Sequence, residues 1–98
     1  MAQTNWSEQA LEELADINYR LSENSETYAD FVVDAILEAV DMLSQIPRMG
    51  RVVQETGIES VRELIIKKYR IIYFIAPTND ISIISVRHSS RPLSSPEI

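Results

Sequence analysis

Five cationic side chains in the second half of the chain are of the types that bind or cleave a phosphodiester. They are Arg62, Arg70, Arg87, His88 and Arg91. An RNA strand that is cut by its own 2′-hydroxyl needs a base for that hydroxyl, cations for the phosphorane charge, and an acid for the leaving oxygen. Arginine and histidine can supply these groups. The adjacent Lys67 and Lys68 could add contacts to backbone phosphate.

The same region also has purely structural interpretations. A lone histidine at the end of a strand is more often hydrogen-bonded than catalytic. Arg62 and Arg70 could pair with acids on neighbouring strands, and each pair would stabilise the fold by about 0.2–1 kcal/mol. The acids at hand are Glu55 and Glu63, and Glu55 is also a candidate base. Gly50 is expected to occupy a turn that needs a positive φ.

The charge is unevenly distributed along the chain. The net charge is −6, but residues 1–46 hold ten acids and one base, whereas residues 47–98 hold eight bases and five acids. This asymmetry predicts a basic pole that could meet phosphate or an acidic partner. Alternatively, acidic helices and basic strands complement each other within one domain.

Composition excludes several classes of site. The chain has 98 residues and no cysteine, which rules out disulfides and thiolate chemistry and fits a reducing cytoplasm. No glycine-rich phosphate loop, His/Asp metal cluster or Ser-His-Asp set is present, so we expect no cofactor and no metal. No apolar run approaches the roughly 18–20 residues that span a bilayer, so no membrane partner is expected. We expect one domain at 1–88 and a mobile, Ser/Pro-rich tail at 89–98.

Two stretches have the apolar periodicity of amphipathic helices. Residues 7–22 form the first, and Asn5 or Ser7 can cap it. Residues 26–46 form the second, and Pro47 ends it because proline disfavours a helical conformation at the preceding residue. A short polar break joins the two, so we expect an antiparallel hairpin.

The rest of the chain is rich in β-branched and aromatic residues, which favour strands. A short edge strand could begin at 51–54, and longer runs cover 61–68, 69–76 and 81–87. Residues 71–75 are continuously apolar, as in a central strand covered on both faces. Residues 2–6 could add a short strand. The sequence therefore predicts an α+β fold, with a two-helix antiparallel hairpin packed on a three- to four-stranded antiparallel sheet.

Five short fragments stand out between residues 6 and 91. They are W-x3-A-x3-L from Trp6, LSQIPRMGR at 43–51, REL at 62–64, YRIIY at 69–73 and V-x-H-x2-R at 86–91. In this order and spacing they resemble the RelE/ParE superfamily, whose members are also called plasmid stabilisation proteins. The resemblance implies a helix hairpin on a small sheet, and a toxin held inactive by an antitoxin that wraps around it.

The superfamily has two known targets. RelE-like members cut messenger RNA inside the ribosome, whereas ParE-like members inhibit DNA gyrase. The resemblance matches Arg70 to an arginine that stabilises the phosphate in ribonuclease members, and His88 to a histidine that acts as acid or base in some of them. If the chain is a ribonuclease, these two residues are the expected catalytic pair. The expected binding residues are Arg62, Lys67, Lys68, Arg87 and Arg91.

Departures from the ribonuclease pattern favour the gyrase target. Ser89 and Ser90 stand where many ribonuclease members carry a tyrosine, and their dense lysine cluster is missing. We therefore expect a ParE-like growth inhibitor. A RelE-like endonuclease and a non-toxic member that acts as an interaction module remain the alternatives. The expected partners are a cognate antitoxin and either gyrase or the ribosome with its messenger RNA; a homodimer could also form.

Overall fold

A computed structural model of the chain describes residues 3–90. Its elements, in chain order, are β1 (Thr4–Trp6), α1 (Glu8–Ser22), α2 (Glu26–Leu43), a 3₁₀ helix (Pro47–Met49), β2 (Arg51–Val52), β3 (Val61–Ile66), β4 (Tyr69–Ile75) and β5 (Ile81–His88). Of the predicted tail, Ser89 and Ser90 form a turn after β5, and the remainder lies outside the described residues.

Serine side chains begin both helices. The hydroxyl of Ser7 accepts a hydrogen bond from the Ala10 N–H at 3.0 Å, and that of Ser25 accepts from the Tyr28 N–H at 3.1 Å. These bonds satisfy N–H groups that have no partner inside the helix. Helix α2 ends three residues earlier than predicted because Ile46, which precedes a proline, adopts an extended φ of −129°.

The sheet has five strands in the order β1-β5-β4-β3-β2. The neighbours from β2 to β5 are antiparallel, and β1 runs parallel to β5, so the sheet is mixed. The predicted α+β class and the hairpin-on-sheet arrangement are confirmed. The four strands β2 to β5 form the predicted antiparallel sheet. The fifth strand, β1, lies within residues 2–6, where a short additional strand was predicted. Its parallel pairing with β5, which makes the sheet mixed, was not predicted.

The main core lies between the helix hairpin and one face of the sheet. Its buried members include Ala10, Ile17, Val32, Ile36, Val40, Leu43, Ile71, Tyr73, Ile75, Ile81, Ile83 and Val86. On the opposite face of β4, Arg70 and Ile72 are also buried, whereas Phe74 is 37% exposed. The prediction that β4 is covered on both faces is therefore confirmed except at Phe74.

Two predictions about backbone conformation, at the β3–β4 turn and at Gly50, were wrong. Lys67 and Lys68, predicted to lie in a strand, form the β3–β4 turn, with φ values of 50° and 73°. Gly50 was expected to need a positive φ, but its φ is −78°. Glycine is required there by space, because a Cβ would lie 2.5 Å from the Glu63 carbonyl oxygen and 2.7 Å from the Tyr73 hydroxyl.

Candidate functional site

Arg70 lies inside a network of alternating charges on the sheet face away from the helices. Its Nε donates to Glu63 at 2.6 Å, and its two terminal nitrogens donate to Glu55 at 3.2 and 3.3 Å. Arg51 also donates from Nε to Glu63, at 2.9 Å. Because the Arg70 side chain is only 7% exposed and that of Glu63 is 3% exposed, the guanidinium is neutralised inside the protein.

The protonation of Arg70 follows from this surrounding. Burial alone would lower its pKa, but the hydrogen bonds and negative charges of Glu55 and Glu63 outweigh burial and raise the pKa above its ordinary value. Arg70 is therefore a fixed cation that holds two carboxylates. A cavity of about 480 Å³ opens beside the network, and Ile65 and Gln54 complete much of its wall.

His88 lies on the other face of the sheet. The strand register pairs Tyr69 with His88 and Arg70 with Arg87. Because successive residues of a strand point to opposite faces, Tyr69 and His88 share the helix-side face, whereas Arg70 points away from it. The Tyr69 and His88 rings make an edge contact with their centroids 5.5 Å apart. The structure therefore does not bring the predicted catalytic pair together.

The tautomer of His88 is set by a turn. The Ser90 N–H donates to His88 Nδ1 at 3.2 Å, and the Ser90 hydroxyl lies 2.8 Å from the same nitrogen. A backbone N–H can only donate, so Nδ1 is the acceptor and the ring proton is on Nε2. The ring is exposed and borders a cavity of about 440 Å³ at the α1 side of β5.

Arg87 and Glu13 are linked through the Ser85 hydroxyl at the edge of β5. The Glu13 carboxylate accepts from the Val86 N–H at 3.0 Å and from the Ser85 hydroxyl at 2.9 Å. Arg87 Nε donates to the same Ser85 hydroxyl at 3.2 Å. Among the described residues, the buried Nη1 of Arg87 has no hydrogen-bond partner. The guanidinium is thus held near α1, and no acid among residues 3–90 forms an ion pair with it.

The remaining predicted binding residues divide into two kinds. Arg62 stabilises the loops on either side of β2, because it donates to the Gly50 and Glu59 carbonyl oxygens at 3.0 Å and forms an ion pair with the Glu59 carboxylate. Lys67 and Lys68 are exposed at the β3–β4 turn, and the Lys67 ammonium lies 4.7 Å from the centre of the Phe31 ring. Arg91 is outside the described residues.

Two residues of this region were not singled out in the sequence. Glu13 is one of several acids of α1, and nothing in its spacing predicts that its carboxylate binds the edge of β5. Phe31 carried a usable signal, since it is a large aromatic outside the apolar stripe of α2. It is 54% exposed, and the neighbouring Tyr28 is 49% exposed.

Residues 3–90 offer neither a metal centre nor a membrane span. Within them no group of three or more His, Cys, Asp or Glu side chains is arranged to hold a metal ion. None of the described helices is long and apolar enough to cross a membrane.

Two solved structures share this architecture. The chromosomal ParDE toxin–antitoxin system from P. aeruginosa superposes with a TM-score of 0.73 at 20% identity, over 90% of this chain and 96% of that one. The toxin–antitoxin complex RelBE2 from Mycobacterium tuberculosis superposes with a TM-score of 0.62 at 17% identity, over 89% of this chain and 96% of that one. The fold is therefore one that occurs in toxin–antitoxin complexes of both the ParDE and the RelBE kind.

The sequence itself distinguishes between these kinds. The profile described as ParE toxin of the type II toxin–antitoxin system parDE matches residues 4–93. The chain therefore belongs to the ParE toxin family of type II toxin–antitoxin systems, and the resemblance read from the five fragments is confirmed. Among curated protein sequences, none matches the chain significantly.

Proposed function

We propose that this chain is a toxin that stops growth by binding DNA gyrase, without cutting RNA, and that a cognate antitoxin neutralises it. The observation that carries the proposal is the placement of Arg70 and His88 on opposite faces of the sheet. One phosphodiester cannot contact both groups, because the sheet lies between them. The acid/base and charge-neutralising roles that RNA cleavage needs are not assembled by this pair.

The burial and the ion pairs of Arg70 also argue against RNA cleavage. A cation that stabilises a phosphorane must face the substrate and be free to form hydrogen bonds with its oxygens. Arg70 is buried and already donates to Glu55 and Glu63. A phosphate that approached it would meet two carboxylates first, and their charges would repel it. We therefore assign Arg70 to the stability of the sheet.

Contact with a large protein target fits the outer surface of the helix hairpin. Large apolar side chains that are between 41% and 66% exposed occur on both helices, at Leu11, Tyr19, Tyr28, Phe31, Leu37 and Met42. A surface that exposes many large apolar side chains is typical of a site for a protein partner. The antitoxin part of the proposal is supported by the ParDE and RelBE2 structures, which are toxin–antitoxin systems.

A purified assay separates the two targets. We expect the full chain to inhibit DNA supercoiling by gyrase and, at the same concentrations, to leave messenger RNA intact on translating ribosomes. His88→Asn should inhibit gyrase to within about twofold of the wild type, a difference of less than 0.5 kcal/mol in binding. Ribosome-dependent cleavage that disappears in His88→Asn would refute the proposal in favour of the endonuclease. A chain without effect in either assay would leave only the non-toxic interaction module.

A further inference from the structure

The outer edge of β5 is covered by a strand for only part of its length. Strand β1 pairs with residues 81–83, and within residues 3–90 no strand lies beside the rest of this edge. A strand edge with unpaired N–H and C=O groups is a template to which another strand can add. The part of β5 that continues to His88 therefore needs a different kind of cover.

Helix α1 and its N-cap provide that cover with polar groups of their own. Ser7 donates from its N–H to the Ile83 carbonyl oxygen and from its hydroxyl to the Ile84 carbonyl oxygen, both at 3.0 Å. Further along the helix, the Glu13 carboxylate accepts from the Val86 N–H at 3.0 Å. The six residues from Ser7 to Glu13 rise by about 9 Å along a helix, and the three from Ile83 to Val86 span about 10 Å along a strand, so the two elements stay in step.

The Glu13 carboxylate is fixed at the edge by more than one bond. The oxygen that accepts from the Val86 N–H also accepts from the Ser85 hydroxyl at 2.9 Å. That hydroxyl in turn accepts from Arg87 Nε at 3.2 Å, and the Ser85 residue is buried. Two donors of β5 therefore converge on one oxygen of α1, which places the carboxylate where the backbone of a further strand would lie.

Beyond Val86 the edge is open. In an antiparallel pair, residues that point their backbone groups outward alternate with residues that point them inward. The Val86 N–H points outward to Glu13, and the Ser89 N–H points inward to the Lys68 carbonyl oxygen, so the His88 N–H also points outward. The space beside these groups is the cavity of about 440 Å³, whose wall includes Glu13, Val86 and His88. A strand could enter this space if the carboxylate were absent.

We propose that Glu13 blocks strand addition at the edge of β5, and that without its carboxylate a second copy of this chain pairs with this edge. A second copy fits because an antiparallel edge is self-complementary. About a twofold axis, Val86 of each copy exchanges backbone hydrogen bonds with His88 of the other. Glu13 thus keeps the chain monomeric, and this role does not depend on the target of the toxin.

The test compares variants of the full chain by sedimentation and by amide hydrogen exchange. Glu13→Ala removes the carboxylate and introduces the residue with the highest helix propensity. We expect this variant to form dimers with an association constant at least about tenfold above that of the wild type. When it is dilute, its Val86 amide should exchange faster than in the wild type. At high concentration, exchange should become slow again at Val86 and at His88.

Three matched variants separate the block from charge and from helix stability. Glu12→Ala removes the neighbouring exposed acid of the same helix and should sediment as the wild type does. Glu13→Gln keeps an oxygen that can accept from the Val86 N–H, so it should also stay monomeric. Glu13→Ala/His88→Pro lacks one outward N–H, at an edge position where proline is tolerated, and should no longer form the dimer.

A folded Glu13→Ala variant that stays monomeric throughout the concentration range would overturn the inference. Equal association of Glu13→Gln, or dimers in which Val86 and His88 stay unprotected, would do so as well. If Glu13→Ala does not fold, Glu13→Met takes its place, since it keeps the length of the side chain without its oxygens. Unfolding of both variants would make Glu13 part of the fold and would also overturn the inference. The supercoiling assay measures gyrase inhibition separately, so each of these results leaves the proposed function standing.

Discussion

Arg70 is of a residue type that often binds phosphate in catalytic sites, yet in this chain it stabilises the sheet. Its guanidinium is buried with Glu63, and Arg51 and Glu55 extend the alternation of charges to the surface. Buried ions are tolerated only when they are paired, because the loss of one partner leaves the other desolvated and uncompensated. The network therefore connects β2, β3, β4 and the segment between β2 and β3.

At the residue scale, we predict that Arg70→Ala lowers the free energy of unfolding by about 3 kcal/mol, since it leaves the Glu63 carboxylate buried with Arg51 alone. In a domain of this size the Tm should fall by more than about 10 °C. Urea and thermal unfolding measure both quantities. Arg48→Ala, which removes one side of an exposed ion pair, should change the free energy of unfolding by less than about 0.5 kcal/mol.

An Arg70→Ala variant as stable as the wild type would show that the network does not hold the sheet together. If the predicted loss is found, a fall in toxicity of this variant cannot be attributed to chemistry. His88, which is exposed at the end of β5, is the better position at which to test catalysis.

At the scale of elements, β1 depends on contacts outside its own three residues. The Asp80 carboxylate accepts from the Gln3 N–H at 2.9 Å and from the Thr78 hydroxyl at 3.0 Å. The Ile81 N–H donates to the Gln3 carbonyl oxygen at 2.8 Å. At the other end of β1, the Ser7 N–H donates to the Ile83 carbonyl oxygen at 3.0 Å. A strand this short forms because both of its ends are fixed in this way.

The link through Asp80 should depend on pH. Its pKa is lowered, first by the hydrogen bond from the Gln3 N–H and then by that from Thr78. A group with a lowered pKa in the folded state stabilises the fold above its ordinary pKa of 3.8, and this contribution disappears as the pH falls through the folded value. We predict that Asp80→Asn is less stable than the wild type at pH 7 and that the difference shrinks below pH 3.8.

Urea unfolding of both proteins between neutral and acidic pH measures this difference. Asp34→Asn removes an exposed charge from α2 and serves as the control. A difference between wild type and Asp80→Asn that is constant over the whole pH range would show that the carboxylate charge does not hold β1.

Elements with strong periodicity could be predicted from the sequence, whereas the short strands could be placed only roughly and without their pairing. Both helices repeat their apolar positions over several turns and have serine caps, so their existence and N-termini followed from local rules. The three residues of β1 are too few for a period to emerge. The turn at Lys67 and Lys68 was missed because neither residue is typical of a turn, and only the pairing of β3 with β4 places them there.

At the scale of the whole molecule, the residue types of the candidate site could be predicted but their faces could not. Whether Arg70 and His88 share a face depends on the register of β4 and β5, and a shift by one residue would reverse the answer. That register includes an irregularity between Ile72 and Tyr73. No local pattern in the sequence marks the irregularity, so the separation of the pair appears only in three dimensions.

The charge asymmetry of the chain also acquires its meaning at this scale. The surplus of bases after residue 46 suggested a broad basic pole. In the fold, four of the seven bases in residues 47–90 form ion pairs with acids of the second half of the chain. Within that range, the bases without an ion pair are Lys67, Lys68 and Arg87. Three such cations on a chain with a net charge of −6 suit a protein partner better than a nucleic acid.

The most direct test of the central claim is pulse-labelling of DNA and protein synthesis in bacteria immediately after this chain is induced alone. An inhibitor of gyrase predicts an early and selective fall in DNA synthesis, while protein synthesis continues at first. Co-expression of the cognate antitoxin should restore the rate. An early fall in protein synthesis, with cleaved messenger RNA and normal DNA synthesis, would contradict the account and return Arg70 and His88 to the chemistry of RNA cleavage.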